Sequence, residues 1–204
     1  RCAPGLRALL EVAGRKLEGV IAQDLGFQAG PRLNAAGRLE DMTLGIESLL
    51  TASPVEAREL AARLSQLNSD RRQLETRMQQ EALAKIDTLA ASFEGRMPAG
   101  LCLFDGGWHQ GVIGLVASRV KDRVHRPVIA FAPGEPGWVK GSARSVAGIH
   151  VRDALDAIAT RNPGLLERFG GHAMAAGMTL RESSLAEFER EFAREVALRI
   201  DPDT

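Results

Sequence analysis

The sequence predicts an α/β protein: a small mixed-sheet domain with flanking helices, preceded by a helical linker arm with one long helix. Three observations predict it. Residues 5–51 carry short helical apolar stripes broken by glycines, and from Pro54 neither glycine nor proline recurs until Gly95. From Leu101 onward, short apolar runs alternate with stretches of helical periodicity. At 204 residues the chain has room for one domain of ordinary size plus an appendage.

The elements follow in order. In the arm, Leu6, Leu9, Leu10 and Ala13 share one helical stripe, and Leu17, Val20 and Ile21 share another. Residues 30–38, GPRLNAAGR, read as a small-residue loop, and Leu44, Ile46, Leu49 and Leu50 form a third helix after it. Ser53-Pro54-Val55-Glu56 is a helix start: a capping serine, proline in the first turn, and glutamate three residues after the cap. The series Leu60, Leu64, Leu67, Leu74, Met78, Ala82, Ile86, Leu89, Phe93 then advances by threes and fours, with Arg71 in its one gap. So narrow a stripe suits a coiled-coil seam or a connector packed along its length. Beyond it, 101–105, 127–132, 138–143 and 178–180 read as strands, and 111–120, 151–159 and 184–200 as helices. The expected divisions are a helical linker region over 1–52, a connector helix over 53–95, and an α/β domain over 96–204.

Composition narrows the function classes. Apolar residues make up 45% and charged residues 25%, the balance of a soluble globular chain. No apolar run approaches membrane-span length, and the N-terminus lacks a signal-peptide layout. Cys2 and Cys102 imply no disulfide framework, so a reducing cytoplasmic setting is expected. A net charge of zero disfavours a general nucleic-acid coat. The charge is uneven, however: residues 101–152 hold seven Lys/Arg against three Asp/Glu, and residues 153–204 hold six against ten. A local basic face is compatible with that balance. The opening Arg1-Cys2-Ala3-Pro4-Gly5, without an initiator methionine, suggests a piece of something longer.

Four small-residue motifs carry the chemistry. Gly170-Gly171-His172-Ala173-Met174-Ala175-Ala176-Gly177 leaves almost no side chains except an imidazole and a thioether, so another molecule can approach the backbone. Lys140-Gly141-Ser142-Ala143-Arg144-Ser145 offers a guanidinium and two hydroxyls, a set that clamps phosphate; its alternative is a solvated edge strand. Trp108-His109-Gln110-Gly111 sits where a strand gives way to a helix, a usual ligand position in open α/β sheets, and His109 suits either a phosphate contact or a helix cap. Arg32 and Arg38 around Asn34 suit a backbone grip or an interdomain brace. Few aromatics and no tyrosine argue against an extended base-stacking platform.

In this order and spacing, GPRLNAAGR, WHQGVIG, KGSARS and GGHAMAAG resemble the C-terminal half of the catalytic core of the RecJ family, bacterial single-strand-specific exonucleases of the DHH phosphoesterase superfamily. The resemblance spans nearly the whole chain. It implies a DHH-associated substrate-binding domain behind an interdomain helix, from a 5′-to-3′ single-stranded-DNA exonuclease of repair and recombination. It implies manganese or magnesium, held by Asp and His motifs of an N-terminal DHH domain. This chain has no Asp-His-His triplet and four histidines in all, so it is expected to hold no metal and to be catalytically silent alone. By the same resemblance Ser142, Arg144 and Ser145 hold the 5′ end of the strand. Gly170, Gly171 and His172 lie near the phosphate, with His172 a hydrogen-bond donor in a supporting catalytic role. Arg32, Asn34, Arg38 and His109 join the phosphate-binding set, and no membrane is involved. Two other readings stand beside it: a DHH-family phosphoesterase acting on short oligonucleotides or cyclic dinucleotides, and a non-enzymatic scaffold dimerising through the long helix.

Overall fold

The computed structural model describes residues 2–92 and 97–200. The chain divides into two compact units, Arg1–Leu74 and Glu75–Thr204. Unit one is helical. It contains α1 (Pro4–Val12), α2 (Ala22–Asp24) running through a π-helical turn into α3 (Gly30–Leu39), α4 (Thr43–Leu50), and the first turns of α5 (Pro54–Ser92). Its core is unusually rich in alanine: Ala35, Ala36 and Ala57 are fully buried beside Leu9 and Leu64. Small residues let the helix axes approach closely. A Cβ on Gly5 would lie 1.5 Å from the Ser48 carbonyl oxygen, so α1 meets α4 backbone to backbone.

The start of α5 forms as the sequence predicts. Ser53 Oγ accepts the Glu56 amide at 3.3 Å. The return arm runs through Thr51, whose Oγ1 accepts the Ser53 amide at 3.1 Å and whose hydroxyl donates to the Glu56 carboxylate. The helix runs 39 residues. Its stripe is consumed inside the chain: Ala57, Ala61, Leu64 and Leu67 are buried in unit one, Met78, Ala82 and Ile86 in unit two. Phe93, the last stripe residue, lies outside the described residues.

Unit two is a five-stranded mixed sheet in the order β1-β2-β3-β5-β4, the α/β class the sequence predicts. Its strands are β1 (Leu101–Phe104), β2 (Val128–Pro133), β3 (Trp138–Arg144), β4 (Arg168–Gly171) and β5 (Ala175–Arg181). β1 and β2 are parallel, joined through α6 (Ile113–Val124); the remaining pairings are antiparallel. One face packs on α7 (Val151–Arg161) and α8 (Leu185–Arg199). Ile129, Phe131, Val139, Met178 and Leu180 meet Leu155, Ile158, Phe188 and Phe192 in the main core there. On the opposite face α6 packs mainly over β2 and β3.

Two expectations require correction. Residues 30–38 are not a loop but most of α3: the chain enters it through the π-helical turn, so Pro31 falls where the regular helical ladder is already interrupted, and two buried alanines favour helix. The final strand begins at Ala175 rather than 178, and its partner β4 has no counterpart in the sequence reading. Glycine and alanine carry little strand preference, so pairing with β3 imposes the conformation.

Candidate functional site

Side chains alternate across a strand, so register alone decides which motif residues share a face. β3 pairs with β2 on one side and β5 on the other, which makes KGSARS the middle of the sheet rather than a solvated edge. Arg144 stands opposite Ala175, Ser142 opposite Gly177 and Lys140 opposite Thr179. Across β5, Gly177 pairs with Gly170 and Thr179 with Arg168. These residues form rows on the α6 face, and beyond the edge of α6 the rows lie open.

The first row is Arg144, Ala175 and His172. His172 donates its amide to the Ala175 carbonyl at 2.8 Å in the β4–β5 turn, so it extends the row about 10 Å from β3, two strand spacings. That turn is anchored from two directions. The Ser145 amide donates to the Met174 carbonyl at 3.0 Å, and the Val151 amide at the start of α7 donates to the Ala173 carbonyl at 2.9 Å. Gly171 makes the turn possible: its φ is 149°, and a Cβ there would lie 2.4 Å from the Ala175 oxygen. The His172 side chain is exposed on this fixed mount.

The guanidinium of Arg144 is fixed as well. Nη1 donates to Ser142 Oγ at 3.1 Å and to the Ala143 carbonyl at 2.8 Å. A Cβ on Gly114, in the first turn of α6, would lie 2.8 Å from Arg144 Nη2 and 2.9 Å from Ser142 Oγ. The first turn of α6 therefore packs directly against the pair and brings the positive end of the helix beside a guanidinium and a hydroxyl, a combination that attracts anions. Beside Ser142 the second row is bare. A Cβ on Gly170 would meet nothing within 4 Å, and one on Gly177 only the Gly141 oxygen at 4.0 Å. Packing requires neither glycine; their effect is to keep the floor beside Ser142 free of side chains.

Other motif residues serve the fold. Ser145 is buried, and its hydroxyl donates to the Ile149 carbonyl at 2.7 Å, so it braces a turn. Trp108 is buried and donates through Nε1 to Glu81 of α5 at 2.9 Å. Ahead of it, Asp105 accepts the Gly107 amide at 2.8 Å and pairs with Lys85 at 3.2 Å; both hold its carboxyl below the usual range. His109 Nδ1 accepts the Gly111 amide at 3.1 Å in the turn that precedes α6; the helix itself, with Val112 at its N-cap, has no side-chain cap. His150 caps α7 and His125 ends α6 in a left-handed conformation, φ 52°. In unit one, Arg32 donates to the Gln28 carbonyl at 2.7 Å and to Ser65 Oγ of α5 at 3.4 Å. Burial, with help from Arg72, pulls its pKa down. Asn34 and Arg38 stand one turn apart on the opposite side of α3, Asn34 exposed and Arg38 half-buried.

Register thus brings Ser142, Arg144, Gly170 and His172 onto one face, while Arg32, Asn34 and Arg38 belong to the other unit. The sequence reading missed Gly114, Gly177 and the Lys140–Thr179–Arg168 row; only strand register reveals them. Among the described residues no three His, Cys, Asp or Glu side chains could hold a metal ion, so the residues present do not fit a catalytic metal. No helix among them is long and apolar enough to cross a membrane.

A mixed sheet with this glycine-histidine hairpin beside an Arg–Ser clamp defines a class: residues 97–198 match the DHHA1 domain, and the chain belongs to that family. The RecJ likeness carried by the four motifs is confirmed. The chain is 54% identical over 193 residues to the single-stranded-DNA-specific exonuclease RecJ of Dickeya dadantii, an alignment covering 95% of the chain and 33% of that protein. It is also similar to the RecJ of Thermus thermophilus, solved in complex with Mn2+: TM-score 0.81, 34% identity, 98% of this chain and 28% of that one. The same protein with Mg2+ gives a TM-score of 0.79 at 34% identity, covering 98% and 29%. The chain spans about a third of the length of the curated relatives it matches.

Proposed function

We propose that this chain is the substrate-gripping part of a RecJ-like single-stranded-DNA exonuclease that works 5′ to 3′ in DNA repair and recombination in the cytoplasm. The observation that carries the reading is the fixed Arg144–Ser142 pair under the first turn of α6, beside a glycine floor and in line with His172. A guanidinium fork, a hydroxyl and helix amides are a phosphate receptor. Their position on a bare surface suits the terminal phosphate of a strand, whose bases need not be read. His172 donates a hydrogen bond to the phosphate next to the bond that breaks. Asn34 and Arg38 offer a second backbone contact. The manganese or magnesium used in cleavage is held by a DHH domain outside these residues; among the described residues no three potential ligands converge.

The test is binding of the full chain to 5′-phosphorylated and 5′-hydroxyl single strands at low salt, with a nuclease assay in manganese. Phosphate-dependent binding without cleavage is expected, and Arg144→Ala should abolish the preference for the phosphorylated end. Equal affinity for both ends, or cleavage that survives repurification, would overturn the reading.

A further inference from the structure

Glycine is a poorer helix former than any residue except proline, so a glycine inside α6 calls for another reason. Gly114 stands in the first turn of that helix, buried where α6 packs on the sheet. Five described glycines would set a Cβ within 3.0 Å of a neighbour. For Gly5 and Gly171 the nearest neighbour is backbone, and for Gly100 and Gly141 it is an aromatic side chain of the core. Gly114 differs. Its nearest neighbours are Arg144 Nη2 at 2.8 Å, Ser142 Oγ at 2.9 Å and Arg144 Cζ at 3.6 Å, with no backbone atom among them. The space this glycine leaves open is taken by the polar ends of the clamp.

We propose that Gly114 is a positioning residue for the clamp: its missing side chain is the slot that holds the guanidinium of Arg144 and the hydroxyl of Ser142 in place for the terminal phosphate. The proposal rests on the phosphate reading of that pair. A methyl group keeps about 3.5 Å from its neighbours, so alanine at this position would displace both polar groups by roughly 0.6–0.7 Å. The clamp has little slack for that. Nη1 already reaches Ser142 Oγ at 3.1 Å, near the long end of the hydrogen-bond range, and the Ala143 carbonyl at 2.8 Å. A guanidinium recognises phosphate through two parallel bonds from a rigid fork, so turning the fork loses the bonds even though the charge stays. The atoms in the way are the ends of rotatable side chains, which yield without moving β3 or α6. Gly114→Ala therefore separates folding from recognition: the helix gains and the phosphate contact is lost.

The experiment measures dissociation constants for 5′-phosphorylated and 5′-hydroxyl tetrathymidylate at low salt, with thermal midpoints. It uses the full chain and its Gly114→Ala, Arg144→Ala and Gly114→Ala/Arg144→Ala variants. Gly114→Ala should keep or raise the midpoint, bind the phosphorylated strand about tenfold more weakly and bind the hydroxyl strand unchanged. Because the change acts through Arg144, the double variant should bind the phosphorylated strand within about twofold of Arg144→Ala. Undiminished affinity of Gly114→Ala for the phosphorylated strand overturns the positioning role and leaves the clamp standing; so does a tenfold loss that repeats on Arg144→Ala. A midpoint lowered by several degrees overturns it too, since the methyl group would then be meeting something that cannot turn aside. Equal affinity of the unaltered chain for both ends, or a preference that survives Arg144→Ala, removes the phosphate reading and the positioning role together.

Discussion

At the scale of single residues, the informative positions are those where the structure does not need what the sequence supplies. Gly177 is exposed, centrally paired, and has open space where a Cβ would stand. A valine there suits a strand, so Gly177→Val should leave the thermal midpoint almost unmoved, a change within about 0.5 kcal/mol. Its isopropyl group would rise beside Ser142, and binding of a 5′-phosphorylated strand should fall at least tenfold. Retained affinity in a folded variant would show that the floor carries no ligand. Gly114 is the opposite case, because Arg144 and Ser142 fill the space its missing Cβ leaves. The sequence made Arg144, Ser142 and His172 legible as chemistry, since few side chains surround them. It could not show that Ser145 turns inward to Ile149 or that Trp108 anchors to Glu81. Both depend on which way a side chain faces, and one residue of register reverses that.

Among the elements, legibility followed the strength of local signals. The start of α5 was readable because capping chemistry is local: Ser53 accepts the Glu56 amide as expected, while the return bond to the Ser53 amide comes from Thr51, which Glu56 holds in place. Ser53→Ala should therefore lower the stability of unit one by about 1 kcal/mol, with Ser53→Asp restoring it; chemical denaturation followed by circular dichroism would measure both. β4 and the first half of β5 were unreadable for the converse reason. Their glycines and alanines specify nothing locally, and only pairing to β3 extends them. The helix α3 was hidden by its glycines at 30 and 37, which usually break helices, whereas burial of Ala35 and Ala36 against neighbouring helices holds this one together.

For the molecule as a whole, two solution properties follow from how its charges are arranged. No three potential ligands converge among the described residues. Millimolar manganese or a chelator should then leave the thermal midpoint where it is, because a ligand raises stability only by binding the folded state. A rise of several degrees with manganese would place a metal site in this chain. The second property concerns acid. Glu195 of α8 is buried between Arg199, 2.6 Å away, and Arg161 at the end of α7, also 2.6 Å away. Burial alone would raise its pKa, but hydrogen bonds and charge from Arg199 and Arg161 outweigh that and lower it. A carboxyl depressed in the folded state adds stability that is complete above its unfolded pKa and disappears as pH falls through the folded one. The two arginines remain 31% and 37% accessible, so solvent screens the pair and Glu195→Gln should cost only about 1–2 kcal/mol at neutral pH. Glu189 has the opposite sign, raised by burial against a smaller effect of Arg190, and it titrates in both proteins. Subtraction removes it. The gap in thermal midpoint between wild type and Glu195→Gln should be constant above about pH 5 and close below the ordinary glutamate value near 4.3. A gap that does not narrow at all between pH 5 and pH 3 would mean that Glu195 joins α7 to α8 by packing, and that its charge contributes nothing.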